Sequence, residues 1–234
     1  MSTVGYHIDA FTGEVAGAHQ GEVKRHGKVL FEGKAESVFL TPFTNCGTNN
    51  RVLAIMDGVE KVHIFPSCMK VADDLEAISN KFFFTTTTRS PSGSTLEGRV
   101  LSARNGTTFA SAVVWTSPFS GGEALISTEP VSFGAVASYG RAVGDKSTLY
   151  KYLNPHLLVA TVLDASKGSA RVIVLDSSTG RIVHQVVLRE IVAERGVQTA
   201  MSENWLVYSY LDTQGWRLGS VELYENRRSG KADT

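Results

Sequence analysis

The sequence predicts an all-β chain, a partial β-propeller of about four or five blades, each an antiparallel four-stranded sheet, with one short helix. Three observations predict it. Runs rich in β-branched and aromatic residues recur along most of the 234 residues, with turn chemistry between them. One hairpin plan occurs twice, at a distance that fits whole blades. Helical periodicity is confined to a single short stretch.

Taken in order, the strand candidates begin with "RVLAIMD" (51–57) and "EKVHIF" (60–65), divided by Asp57-Gly58. "FFFTTTT" (82–88) and "LEGRVLSA" (96–103) flank the turn-forming "SPSGS" (90–94). Then come "LLVATVLD" (157–164), "ARVIVLD" (170–176) and "RIVHQVVL" (181–188), the last two joined by "SSTG" (177–180). "NWLVYSYLD" (204–212) and "SVELYE" (220–225) close the series around "DTQG" (212–215). Runs such as "VIVL" are apolar on both faces, which suits strands held between neighbouring sheets. The helix is predicted over 68–80, where Val71, Leu75 and Ile78 share a face and Asp73 and Asp74 lie outside it. "LREIVAERG" (188–196) is read as loop or a single helical turn.

The repeated plan is a strand ending in Asp, two residues, Thr-Gly, and a new strand. It appears in "HIDAFTGEVAGAHQ" (7–20) and "VLDSSTGRIVHQVV" (174–187). Asp9 and Asp176 can bond the turn backbone, and Gly13 and Gly180 can supply a positive φ. The copies are separated by about four units of ~42 residues, the length of a propeller blade. "AIMDGVEKVHIFP" (54–66) and "STLEGRVLSARNG" (94–106) resemble degenerate copies between them. A two-sheet sandwich is the structural alternative.

Composition narrows the function classes. Lys plus Arg and Asp plus Glu are equal at 23 each, so no electrostatic footprint for nucleic acid is present. Trp115, Trp205 and Trp216 are not joined to basic clusters, which argues against a single-strand stacking platform. No apolar run is long enough to span a bilayer, and the N-terminal residues lack the pattern of a signal peptide. The six histidines form no metal-binding pair. His63 and His184 fall inside strand patterns and read as hydrogen-bonded or surface imidazoles. No nucleophile elbow or paired-acid pattern occurs. Cys46 and Cys68 match no zinc spacing and read by default as unpaired thiols. Asn105-Gly106-Thr107 fits the N-glycosylation triplet. No catalytic residue, cofactor site, metal site or small-molecule substrate is predicted.

"GRAVGDKST" (140–148) looks at first like a phosphate-binding loop. That motif needs four residues between its glycines and a lysine after the second. Three residues separate Gly140 from Gly144, and Asp145 stands where the lysine belongs. A carboxylate there repels phosphate, and Pro155 breaks any following helix. The stretch reads instead as a turn leading into a strand. Gly144 and Asp145 suit the turn, Asn154-Pro155 starts the strand at 157, and Tyr150, Tyr152, Leu153, Leu157 and Leu158 pack. Arg141, Asp145 and Lys151 either form an ion-pair network or face a partner.

"GRAVGDKSTLYKYLNPHLLVAT" (140–161), "DSSTGRIVHQ" (176–185), "SENWLVYSYLD" (202–212) and "VELYE" (221–225) occur in that order. This series resembles the family of subunit 1 of the endoplasmic-reticulum (ER) membrane protein complex, over about residues 28–225. Ala142 departs from the family's usual Val, and the segment around residues 79–94 is only generically similar. The resemblance marks Arg141, Gly144, Asp145, Tyr150, Lys151, Tyr152, Asn154, Pro155, Glu203, Asn204 and Trp205 as structural-motif or interface residues. It implies a non-enzymatic scaffold on the lumenal side of the ER membrane, within an assembly that inserts tail-anchored and multipass proteins. Its partners would be the other subunits. A lumenal setting permits a glycan on Asn105 and a Cys46–Cys68 disulfide. Family members are longer, with a signal peptide and a membrane anchor that this sequence lacks. It is therefore expected to be a fragment, with residues 1–225 a propeller segment of a larger lumenal domain and 226–234 a disordered polar tail. Membrane association would come through the parent's anchor. The alternatives are a quinoprotein-like propeller enzyme, which needs a central cationic and calcium-binding site that no motif marks, and an unrelated propeller-type protein-binding module.

Overall fold

The structure is a computed structural model that describes residues 2–6, 18–19, 22–23, 28–32, 35–44, 51–65, 68–90, 93–119, 122–132 and 134–225. Asp9, Gly13, Cys46 and the tail 226–234 lie outside them. The chain forms two compact units. One comprises Met1–Thr86 with Gly98–Val114, the other Thr87–Glu97 with Trp115–Thr234.

In the first unit the leading strands are β1 (Ser2–Tyr6), β2 (Ala18–His19), β3 (Glu22–Val23) and β4 (Lys28–Glu32). They pair antiparallel as β1 with β4 and β2 with β3. Next come β5 (Ala35–Thr44), β6 (Arg51–Asp57), β7 (Lys61–Phe65), helix α1 (Met69–Ala77), β8 (Phe83–Ser90), β9 (Gly93–Asn105) and β10 (Thr108–Phe119). The six strands make one sheet in the order β5-β6-β7-β10-β9-β8. β8, β9 and β10 each have one end in each unit.

The helix forms where its periodicity predicts, but is shorter. It ends at Ala77, and Ser79–Lys81 tighten into a 3-10 turn. Val71, Ala72 and Leu75 are buried among Val52, Ala54 and Met56 of β6, Val62 and Ile64 of β7, Phe84, Leu101 and Phe109. Val71 and Leu75, taken fully out of water, each contribute about 1.5–3 kcal/mol. Phe39 stacks on Phe84, ring centroids 4.4 Å apart. Arg99, only 4% exposed, is satisfied by Thr86 Oγ1 at 3.1 Å, Ser111 Oγ at 3.1 Å and Glu60 Oε1 at 2.6 Å. A buried guanidinium needs such partners.

The second unit contains β11 (Glu123–Pro130), β12 (Gly140–Ala142), β13 (Thr148–Tyr150), β14 (Leu157–Asp164), β15 (Ser169–Asp176), β16 (Ile182–Leu188), β17 (Val197–Ser202), β18 (Trp205–Asp212) and β19 (Gly215–Glu222). A four-stranded antiparallel sheet runs β11-β14-β15-β16, with the β12–β13 hairpin inserted between its first two strands. β17, β18 and β19 form a three-stranded meander.

The two-faced apolar runs behave as their composition requires. Leu157, Val159, Val172 and Val174 enter one cluster, with Met201 and Leu206. The alternate residues Leu158, Ala160, Val162, Ile173 and Leu175 enter another, with Leu96, Phe119 and Leu125. The central strands are thus buried on both faces, unlike a sandwich with one shared slab.

Several boundaries differ from the sequence reading. The last strand occupies Gly215–Glu222, not 220–225. Asp212 pairs directly with Gly215, so the strand restarts at once despite the polar "RLGS". β5, β10, β11 and β17 were not anticipated. Each carries Ser, Thr or Glu on a half-exposed face, which weakens the apolar signal. The ambiguous stretch near 188–196 contains a 3-10 turn at Ala193–Arg195. Among the described residues the full four-stranded meander occurs once. Beside β19, Lys151 bridges Tyr224, so the segment after β13 lies where a fourth strand would begin.

One device recurs at the turns. A strand ends in Asp, whose carboxylate accepts backbone N–H groups of the turn. Asp57 Oδ1 accepts from Val59 at 3.0 Å and Lys61 at 2.9 Å, and Asp212 Oδ1 from Gln214 at 2.8 Å and Gly215 at 2.9 Å. Asp164 Oδ1 accepts from Lys167 N at 3.2 Å, and Asp176 Oδ1 from Ser178 N at 2.8 Å. The Lys167 ammonium, with Ser166, holds Asp164 down to about 2. The Arg217 guanidinium lowers Asp212. Burial pushes Asp57 up, but bonds from His63 and the Lys61 and Val59 amides outweigh it and leave it lowered. At Asp176, burial is likewise outweighed by bonds from Ser178 and Asn154.

Candidate functional site

The marked residues begin at the β12–β13 hairpin. Val143 N donates to Ser147 O at 2.9 Å and Lys146 N to Val143 O at 3.0 Å. Asp145 Oδ1 accepts from Ser147 N at 3.0 Å and also from the Ser147 hydroxyl. The left-handed residue is Lys146, at φ 66°, and not Gly144. Gly144 has open space around it and no positive φ. Asp145 thus has its role inside the turn, as an acceptor and not as a phosphate ligand. Arg141 is exposed beside it.

Past β13 the chain makes two sets of contacts. Tyr150 is 58% exposed, but its carbonyl accepts from Glu225 N at 2.9 Å, and Tyr152 N donates to Leu223 O at 3.0 Å. The segment "YKY" therefore runs beside "LYE". Lys151 Nζ meets Glu203 Oε2 at 2.6 Å. Glu203 sits at φ 53°, a strained setting for a residue with a Cβ, and its N–H donates to Ser132 O at 3.1 Å. Asn204, 4% exposed, donates Nδ2 to Leu223 O and accepts from Leu223 N, both at 2.8 Å. Three of the four quoted motifs, those at 140–161, 202–212 and 221–225, converge here. They line a cleft of about 340 Å³ formed by Lys151, Ser202, Glu203, Asn204, Trp205 and Glu222.

Asn154 makes the second set. Its Oδ1 accepts from His156 N at 2.8 Å, which shapes the turn at exposed Pro155. Its Nδ2 donates to Asp176 Oδ2 at 2.9 Å and to Tyr152 Oη at 3.3 Å. Ser177 N donates to His156 O at 2.7 Å. The "YLNPH" turn and the "DSSTG" hairpin are therefore one braced node. Trp115 completes it, donating Nε1 to Ser177 O at 2.8 Å. Gly180 has φ +72°, and a Cβ there would lie 2.6 Å from Trp115 Cδ2, so only glycine fits under the indole.

Four of the residues marked in the sequence line the cleft: Lys151, Glu203, Asn204 and Trp205. Tyr152, Asn154 and Pro155 belong to the brace, whereas Arg141, Gly144 and Asp145 belong to the hairpin. Lys151 pairs with Glu203, outside the set of Arg141 and Asp145 proposed for it. Sequence reasoning missed Trp115, whose partner Ser177 is remote and leaves no local pattern; Ser202 and Glu222 lie inside quoted motifs but were not singled out. Cys68 is disulfide-bonded, so the default reading of a free thiol does not hold there. Asn105 is exposed at the tip of the β9–β10 hairpin. Among the described residues no group of His, Cys, Asp and Glu is arranged to hold a metal, and no helix is long and apolar enough to cross a membrane.

Three large apolar side chains stand exposed on the outer face of the β17–β18–β19 sheet. Cross-strand pairs Trp205–Glu222, Ser209–Leu218 and Leu211–Trp216 lie on it. Trp205 is 52%, Trp216 67% and Leu218 78% exposed. The opposite face, with Leu206 and Tyr208, packs into the core.

Blade-like antiparallel meanders, Asp-capped hairpins and a brace linking successive strands define the chain as a β-propeller protein. The family model described as "ER membrane protein complex subunit 1, second beta-propeller" matches residues 1–234. The chain belongs to this family. It is 32% identical over 183 residues to ER membrane protein complex subunit 1 of Xenopus laevis, covering 75% of this chain and 18% of that protein. It is 30% identical over 227 residues to the subunit 1 of Schizosaccharomyces pombe, covering 95% and 24%, and 31% identical over 190 residues to that of Gallus gallus, covering 75% and 18%. The chain thus spans about a fifth to a quarter of the length of these relatives.

Proposed function

We propose that this chain is a non-enzymatic scaffold segment of the ER membrane protein complex, on the lumenal side, within an assembly that inserts tail-anchored and multipass proteins. It would be one portion of a larger lumenal domain, held at the membrane by the parent's anchor. The observation that carries this reading is the family match along all of residues 1–234. The chemistry of the motif residues supports it. Lys151 and Glu203 neutralise each other, Asn204 is tied to Leu223, and Asn154 is tied to Asp176. These groups brace strands, which is what a platform requires. The disulfide at Cys68 fits an oxidising compartment.

The partners are the other subunits of the complex, and the surface we assign to them is the outer face of β17–β19. An exposed tryptophan-bearing patch of this kind matches the anchor residues of protein interfaces. The test is affinity purification of the full-length parent from detergent-solubilised membranes. Co-recovery of other subunits is expected. A parent that is folded, membrane-bound and recovered alone overturns the assignment.

A further inference from the structure

The β9–β10 hairpin turns through Asn105-Gly106-Thr107, the one Asn-x-Ser/Thr triplet in the chain. Asn-Gly alone is explained by turn geometry, because Gly106 has φ +62° and such pairs favour tight hairpins. The tip is held through backbone carbonyls. Thr108 Oγ1 donates to Asn105 O at 2.8 Å, and Arg104 Nε to Gly106 O at 2.7 Å. This leaves the Asn105 side chain exposed, with no hydrogen bond to it among the described residues. A Cβ built on Gly106 would have nothing within 4 Å, so the tip stands in open space. The same unit contains Cys68, whose disulfide belongs in the kind of compartment where glycosylation occurs.

We infer that Asn105 is an N-glycosylation site whose glycan the folded hairpin accommodates without rearrangement. The inference rests on the lumenal reading above. The donor is an oligosaccharide linked to a lipid pyrophosphate. Asn105 Nδ2 attacks the anomeric carbon, the bond from that carbon to the phosphate oxygen breaks, and the carbon–nitrogen bond forms. The amide loses one proton and the lipid pyrophosphate leaves, with no oxidation or reduction. A glycan there also keeps the β9–β10 tip out of subunit contacts.

The experiment uses the full-length parent in its own cells, with and without peptide-N-glycosidase, followed by peptide mass spectrometry. The expected result is an enzyme-dependent mobility step with the glycan mapped to Asn105. Asn105→Gln and Thr107→Ala should abolish it, and Thr107→Ser should retain it. The no-enzyme arm is essential because Asn-Gly pairs deamidate spontaneously. Arg228→Thr supplies a control, since it completes a second triplet at Asn226. Modification at Asn226 but not at Asn105 overturns the site and leaves the lumenal reading intact. Modification at neither position overturns both.

Discussion

Gly180 shows how one residue can be fixed from two sides. Its φ of +72° favours glycine, and the Trp115 ring occupies the place of a side chain. Gly180→Ala should cost about 1–3 kcal/mol, combining backbone strain with a displaced indole. Denaturant unfolding with tryptophan fluorescence reads both effects, and an unchanged midpoint would refute the packing argument. Thr161 makes the opposite case. It is 0% exposed, and its hydroxyl lacks a partner among the described residues. Thr161→Val should therefore stabilise by about 1 kcal/mol, since an unpaired buried hydroxyl costs more than a methyl group. A lower melting temperature would show the hydroxyl to be engaged. At this scale the sequence was partly legible. The Asp-x-x-Thr-Gly turn announced both the capping carboxylate of Asp176 and the left-handed glycine. The ring above Gly180 comes from residue 115, and nothing near residue 180 could indicate it.

Elements were legible in proportion to how completely they are buried. β14, apolar on both faces, matches its predicted limits of 157–164. β10, exposed along much of its length, gave no clear signal. The β18–β19 pair carries two contrasting tests. Tyr208 lies across Gly219, its ring filling the space a side chain would take. Gly219→Val should displace that ring and destabilise the sheet by about 1–3 kcal/mol, visible as a lower melting temperature. On the other face, Trp216→Ser with Leu218→Ser should stay within about 0.5 kcal/mol of the parent stability, as exposed positions do. The same pair should reduce recovery of partner subunits, and unchanged recovery would remove this face from the interface. The cleft was legible only as motifs. The family resemblance named Lys151 and Glu203, but their meeting depends on the segment after β13 lying beside the one after β19.

Across the whole molecule, the turn aspartates link stability to pH. Asp57, Asp164, Asp176 and Asp212 all have folded pKa values below the ordinary value. The unfolded chain therefore takes up protons first, near pH ~3.9. Their stabilisation is fully present above that value. It is lost as pH falls through the folded values, which for Asp164 means about 2. Thermal midpoints should be level above pH ~5 and fall steeply below ~4. A flat profile down to pH ~3 would show the caps to be energetically idle. The disulfide offers a separate handle, and Cys68→Ser should cost about 2–4 kcal/mol. The all-β class was readable from strand-and-turn rhythm, and the family from its ordered motif series. The division into two units was not, because it depends on strands that change unit midway.

That interlacing bears on how the chain can be cut. Residues 87–97 belong with 115–234, and residues 98–114 with the N-terminal portion. Leu96, fully enclosed, sits in a cluster with Phe119, Leu125 and Leu158. A C-terminal piece starting at residue 115 would lack Leu96 and open a hole in its own interior. A break between Phe119 and Glu123 keeps β8, β9 and β10 together on one piece, and the other piece, lacking both Leu96 and Phe119, completes its interior only by taking them up on reassembly. Two polypeptides divided there should reassemble when mixed, while a pair divided at residue 97 should not, which makes the β10–β11 junction the natural place for a split-protein reporter.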